Sequence, residues 1–98
     1  MADSLPLLET EIRSLLDLPA DAGRPPRDAI EHTLTTGYAH ALRLDAERLR
    51  VERRLRDVVR SAAPDAAARD NAVLELTRVD QELAQLRALL STLRDQAL

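Results

Sequence analysis

The chain has 98 residues, a formal net charge of −3 and no cysteine, and all 14 of its basic residues are arginine. The lack of cysteine excludes disulfides and thiolate chemistry, and a 45% hydrophobic fraction with Tyr38 as the single aromatic residue favours helix-on-helix packing over a β-sandwich or barrel. A chain this short buries a smaller fraction of its surface than a larger one does, so we expect self-association or a partner.

The first predicted helix covers about residues 4–17. Ser4 is a candidate N-cap, and Pro6 is tolerated in a first helical turn. Apolar residues then recur at steps of three and four, at Leu5, Leu8, Ile12 and Leu15. Residues 18–27 contain three prolines and Gly23, a composition that predicts a linker.

The second predicted helix covers about residues 28–62. Asp28 is its candidate N-cap, and Glu31 three residues later completes a capping-box pattern. One face alternates steps of four and three residues through Ile30, Leu34, Gly37, Ala41, Leu44, Arg48, Val51, Leu55, Val58 and Ala62. A period of 3.5 residues indicates a left-handed supercoiled seam.

The third predicted helix covers about residues 66–97, after a turn at residues 63–65. Pro64 and Asp65 favour a helix start there, because proline suits a first turn and an acid complements the helix dipole. The same repeat continues through Ala72, Leu76, Val79, Leu83, Leu86, Leu90, Leu93 and Ala97. This uninterrupted pattern is the clearest structural signal in the chain.

Two heptad helices joined by a short turn predict an antiparallel coiled-coil hairpin. Folding at the turn places Gly37 near Leu90 and Leu44 near Leu83. We expect the short first helix to dock where residues 30–45 meet residues 83–97, on a second apolar stripe that begins with Tyr38 and Leu42. The predicted fold class is therefore all-α, a hairpin with a short N-terminal third helix that dimerises into a helical bundle.

The stretch HTLTTGYAH, from His32 to His40, interrupts the second helix with poor helix formers. Glycine costs about 1 kcal/mol relative to alanine in a helix interior, so tertiary packing must offset it. One interpretation is a three-helix packing site. The other is a polar site for a ligand or partner, lined by Thr33, Thr35, Thr36, Tyr38 and the two histidines. Eight residues separate the histidines by about 12 Å, too far to share a metal ion within one helix, and we expect them to be exposed or capping.

Arg48 occupies a seam position, where an unpaired charge is costly. We expect its methylenes to lie on the seam and its head to reach water and a partial ion pair, with Glu75, Asp80 and Glu82 within reach. A polar seam residue can also fix register or oligomeric state.

The segment from Arg43 to Arg60 carries seven arginines and four acids. A basic helix can follow phosphates, which makes nucleic-acid binding an alternative function. However, Arg43 with Glu47, Arg48 with Glu52, and Glu52 with Arg56 have the i,i+4 spacing of a solvated coiled-coil face. Since no aromatic residues interleave to stack bases, an acidic protein partner is favoured over nucleic acid.

These patterns predict a non-enzymatic interaction or regulatory module that forms a homodimer and binds a protein partner. The sequence has no nucleophile–base motif, phosphate loop or metal motif, so we expect no catalysis, cofactor or metal. Apolar residues off the seam exceed what one hairpin can bury. The candidate interaction residues are Tyr38, His40, Leu42, Arg48, Leu49, Arg53, Arg56, Val59, Arg60, Val73, Leu74 and Leu89.

The main alternative is a sensor for a small anionic molecule, in which two copies bring the faces from Thr33 to His40 together around a ligand held by arginines. The lysine-free, Ala-, Asp- and Leu-rich composition indicates a GC-rich bacterial genome. Because the sequence shows neither a signal-peptide pattern nor a long apolar run, we expect a cytoplasmic protein without a membrane partner.

Overall fold

The structure is a computed structural model that describes residues 4–18, 23, 26–61, 63 and 65–97. It contains three helices, α1 (Ser4–Leu16), α2 (Arg27–Arg60) and α3 (Ala66–Ala97). Every regular element in these ranges is helical, which confirms the all-α prediction. Most of the predicted linker, together with Ala62 and Pro64, lies outside the described residues.

The start of α2 differs from the prediction. The helix begins at Arg27, and Pro26 in extended backbone (φ −57°, ψ 134°) occupies the cap position without a side-chain hydrogen bond. Asp28 therefore lies within the first turn and is not the N-cap, while the Glu31 carboxylate accepts a hydrogen bond from Arg27 Nε at 2.9 Å. The Pro26 carbonyl accepts the first helical hydrogen bond, from the Ile30 N–H at 3.2 Å, so the helix starts directly after Pro26.

The start of α3 has a side-chain cap. Asp65 lies immediately before the helix, and its Oδ1 accepts a hydrogen bond from the Ala68 N–H at 3.1 Å. This bond satisfies one of the backbone donors that a helix start leaves without a partner. The acid that the sequence placed at this helix start therefore acts as the N-cap.

Helices α2 and α3 pack along each other in a molecule that measures 63 × 22 × 18 Å. Contacts between them pair low residue numbers of α2 with high residue numbers of α3. They run from Gly37 against Leu90, through Asp45 with Arg87 and Arg48 with Asp80, to Arg54 with Glu75.

The largest hydrophobic cluster joins all three helices at the end of the rod that α1 occupies. Its buried members are Leu5, Leu8, Ile12, Ile30, Ala41, Leu44, Leu83, Leu86, Leu90 and Leu93. Towards the α2–α3 turn, the buried apolar residues outside this cluster are Val51, Ala72 and Val79. The described core is therefore three helices thick at one end and two helices thick at the other.

The contact between α2 and α3 explains why a poor helix former, Gly37, is tolerated inside α2. Gly37 is buried, and a Cβ built on it would overlap Leu90 Cδ2 and lie 3.2 Å from Leu90 Cδ1 and Cγ. A missing side chain lets two helices approach closely. The stretch from His32 to His40 thus contains a packing site, with Thr33, Gly37 and His40 all facing the interior.

Helix α1 docks at the expected end of the rod but on a different face. Thr33 Oγ1 donates a hydrogen bond to Glu11 Oε1 at 3.0 Å, and Gln85 Nε2 donates to Glu9 Oε2 at 3.1 Å. Tyr38 and Leu42 remain exposed, so the prediction that α1 covers them is wrong. The groove that α1 fills combines a buried leucine cluster with hydrogen-bond donors for its two glutamates.

Candidate functional site

The α2–α3 pair has two long flanks, one on each side of the seam. The covered flank of α2 carries Thr33 and His40, which lie beneath α1, and then Glu47 and Arg54. The open flank lies on the other side, and α1 does not reach it. On α2 it comprises Tyr38, Leu42, Asp45, Leu49, Glu52, Arg56 and Val59.

The open flank of α2 is a second stripe with a 3.5-residue period. Its seven positions follow the seam positions by one residue and alternate steps of four and three without a break. Four of them carry large apolar side chains that remain in contact with solvent. The exposed fractions are 43% for Tyr38, 70% for Leu42, 52% for Leu49 and 63% for Val59. A stripe of this kind normally faces another helix.

Helix α3 contributes Val73, Asp80 and Arg87 to the open flank. Arg87 Nη2 donates to both carboxylate oxygens of Asp45, at 2.9 and 2.8 Å. Val59 follows Asp45 by two heptads, and Val73 precedes Arg87 by two heptads. The same register therefore places Val73 across from Val59, and both are exposed. The turn end of the open flank therefore carries an apolar patch. Leu74 is also exposed but follows Val73 by one position and points away from the seam.

Arg48 lies on the seam beside the open flank and is ion-paired, as the sequence led us to expect. Its Nε lies 2.6 Å from Asp80 Oδ1 and 3.4 Å from Glu52 Oε1, and its side chain is 44% exposed. The guanidinium thus links an acid of each long helix while remaining in contact with water. Of the three i,i+4 pairs that the sequence suggested, the Arg48–Glu52 pair is formed, whereas Glu47 pairs with Arg78 of α3 at 2.9 Å.

A shallow open groove of about 330 Å³ lies on the open flank near the turn end. One of its lining residues lies on the seam, and the other three belong to the α2 stripe. The lining residues are Glu52, Leu55, Arg56 and Val59. A mostly apolar depression with one acid and one arginine at its rim is suited to a protruding aliphatic side chain.

Four of the seven arginines between Arg43 and Arg60 form neither an ion pair nor a side-chain hydrogen bond within the described part of the chain. They are Arg50, Arg53, Arg56 and Arg60, and all are exposed. Arg53, Arg56 and Arg60 recur at steps of three and four, so they lie on one face of α2. Because no acid of the described chain pairs with these three arginines, they form a positively charged surface along the open flank.

His40 is buried, with 7% of its surface exposed, so the prediction of an exposed or capping histidine is wrong at this position. Arg43 Nη2 donates a hydrogen bond to its Nδ1 at 3.2 Å. Burial and the Arg43 charge lower the pKa of His40, and the acids Glu82 and Glu9 oppose the shift. The ring is an interior group beneath α1 and does not belong to a contact surface. The periodicity of α2 gave no sign of this, because it does not indicate which flank α1 covers.

Leu89 also departs from the prediction. It is half-buried and packs against the three-helix cluster, so it is not an uncovered apolar residue. Sequence reasoning in turn missed Asp45, Glu52 and Leu55, which the structure brings to the open flank and its groove. The signal that could have found Asp45 and Glu52 is the unbroken stripe one position after the seam, whereas Leu55 is itself a seam residue.

On the covered flank, Glu47 and Glu82 both accept hydrogen bonds from Arg78, which raise the pKa of that guanidinium. Among the described residues, no cluster of three or more His, Asp or Glu side chains could hold a metal ion. The helices of this described region also include none long and apolar enough to cross a bilayer. Comparisons of the chain with protein-family models, with curated proteins and with solved structures find no match.

Proposed function

We propose that the protein is a non-enzymatic helical interaction module. In this proposal α2 and α3 form an antiparallel coiled-coil hairpin, α1 braces one end of it, and the open flank binds a second copy to give a homodimer. A regulatory role follows if the same module also recruits a protein partner, and the cytoplasm is the compartment we propose for it.

One observation carries the proposal: large apolar side chains are exposed in register along a single flank. Leu42, Leu49, Val59 and Val73 all have at least 45% of their surface exposed, on helices whose other flank is covered at one end by α1. Contiguous exposed apolar surface rimmed by charges is typical of protein–protein contact sites. Burying each such side chain would contribute about 1.5–3 kcal/mol before the costs of association.

The experiment is the solution mass, measured by light scattering over a concentration series. We expect twice the 10.9 kDa chain mass for the wild-type protein and the single-chain mass for the variant Leu49→Glu/Val59→Glu. Leu7→Glu is the matched control, since Leu7 is 74% exposed on α1 and lies away from the open flank. It should remain dimeric. A wild-type protein that is monomeric at every concentration would refute self-association.

A second candidate function is binding of an acidic partner by Arg53, Arg56 and Arg60. The absence of ion pairs at these arginines in the described chain favours it, because unpaired guanidinium groups are available for carboxylates or phosphates. An acidic peptide and a short DNA duplex, titrated at increasing salt, separate the two partner classes. Weak binding of the duplex that disappears at physiological salt would argue against nucleic acid.

The anion sensor finds less support in the geometry. It relied on the face from Thr33 to His40, but Thr33 is hydrogen-bonded beneath α1 and His40 is buried. Tyr38 is the one large side chain of that face that remains accessible. If Tyr38→Ala altered an anion-induced change in thermal stability, the sensor would return as the better proposal.

A further inference from the structure

We infer that the open flank binds a second copy of this chain in an antiparallel arrangement, with the two α2 helices in contact and a twofold axis near residues 50 and 51. Leu42 of each copy then inserts into the groove beside Val59 of the other. This inference rests on the proposed self-association and specifies its geometry.

The first argument is that the α2 stripe complements itself when it is reversed. A twofold axis between residues 50 and 51 places two residues at the same height along the helices when their numbers add to about 101, because each residue rises 1.5 Å. Leu42 then meets Val59, and Asp45 meets Arg56, with each pair occurring twice. Leu49 lies close to the axis beside Leu49 of the second copy. Two of the three stripe pairs are thus complementary, apolar with apolar and acid with arginine, while in the third pair Leu49 lies across from Glu52.

The second argument is the groove. Its centre lies near residue 55, and the same reversal brings Leu42, Asp45 and Leu49 of the second copy over it. Leu42 is 70% exposed and has the size of knob that the depression next to Leu55 and Val59 can receive. Knob and groove lie on the same stripe, so a twofold contact forms the interaction twice.

The third argument is charge. Arg56 has no ion pair in the described chain, whereas Asp45 accepts two hydrogen bonds from Arg87. A carboxylate has lone pairs for a second guanidinium, so Asp45 can accept from Arg87 of its own chain and from Arg56 of the second copy together. A parallel arrangement, with each α2 over the α3 of the second copy, instead brings Glu52 against Asp80. The single charge of Arg48 balances only one of these two acids in each chain, so like charges would face each other.

Cross-linking between single-cysteine variants tests the arrangement, and the chain has no cysteine of its own to interfere. Leu42→Cys and Val59→Cys are prepared separately, mixed, allowed to exchange subunits and oxidised. We expect a covalent heterodimer from the mixture and none from either variant alone, because identical positions lie about 25 Å apart along antiparallel helices. Facing thiols have an effective concentration in the millimolar range, so the reaction should be at least about tenfold faster than in the control.

The control mixture contains Leu7→Cys and Val59→Cys, because Leu7 is equally exposed but lies on α1. A third mixture, Leu42→Cys with Ser91→Cys, reports the parallel arrangement. Cross-linking there, or a dimer that cross-links in neither test mixture, overturns the antiparallel register while self-association stands. A monomeric mass for the unmodified protein overturns both. Circular dichroism of each variant establishes that it is folded, which these exposed positions should permit.

Discussion

Gly37→Ala is a direct test of the close approach between α2 and α3. Alanine is the better helix former, so the substitution should stabilise α2 by about 1 kcal/mol if nothing lay nearby. The new Cβ would instead overlap Leu90 Cδ2 and press on Cδ1 and Cγ at 3.2 Å. Leu90 cannot turn away freely, because it is 1% exposed and packed within the three-helix cluster.

The two effects have different magnitudes. An added methyl group in a packed core costs about 1–3 kcal/mol, which exceeds the gain in helix propensity. We therefore expect Gly37→Ala to lower the free energy of unfolding by about 1 kcal/mol. For a chain of this size, that loss corresponds to a fall in Tm of about 4–8 °C.

The assay is thermal and urea unfolding followed by circular dichroism, at one protein concentration for all variants. Ala39→Gly, at an exposed position two residues away in α2, measures the glycine penalty locally and should cost about 1 kcal/mol. Adding that penalty to the loss in Gly37→Ala gives the steric cost. If Gly37→Ala gains as much stability as Ala39→Gly loses, Leu90 yields without cost and the close approach does not explain the glycine.

Two further predictions concern a buried and a half-exposed polar side chain of α2. The lowered pKa of His40 means that the unfolded chain takes up a proton first as the pH falls, so this contribution to stability is present above the unfolded pKa and is lost below it. When the pH is lowered from about 7.5 to about 5.5, the Tm of His40→Gln should therefore fall less than the Tm of His32→Gln. The second variant is the matched control, because it removes an exposed ring and keeps His40. Equal decreases in Tm would contradict the buried-histidine account. Arg48→Leu should raise the free energy of unfolding by about 1 kcal/mol, because a partly exposed ion pair contributes about 0–1 kcal/mol and a leucine on the seam buries more apolar surface. Urea midpoints check this against Arg50→Leu, an exposed off-seam change expected to stay within about 0.5 kcal/mol, and a net loss for Arg48→Leu would mean that the pair with Asp80 outweighs packing.

The seam of α3 was predictable because its pattern is strong and local. Ala72, Val79, Leu83, Leu86, Leu90 and Leu93 are buried, as the four-and-three repeat predicts, and Leu76 of the same repeat is half-buried. The pairing of Gly37 with Leu90 was predictable as well, because once two heptad helices are joined by a short turn, the position of the turn determines which residues meet. The ion pair of Arg48 with Asp80, one of the three acids expected within its reach, follows from the same register.

The docking face of α1 was not predictable from these patterns. Tyr38 and Leu42 form an apolar surface, but α1 packs on the flank of Thr33 and His40, where its glutamates accept hydrogen bonds from Thr33 and Gln85. Periodicity identifies the seam and leaves its two flanks equivalent. The side on which a third helix packs depends on the path of the segment that connects it to α2 and on specific polar contacts. The spacing of apolar residues indicates neither.

The uneven thickness of the core has a consequence for the way the molecule opens. Local unfolding requires least free energy where fewest apolar contacts must be broken. Around Leu55 and Ala72 each long helix has one neighbour, whereas around Leu44 and Leu86 it has two. Backbone amides should therefore exchange with solvent progressively faster from the α1 end towards the turn. A second copy lying on the open flank would supply the missing neighbour and even out this gradient along the rod.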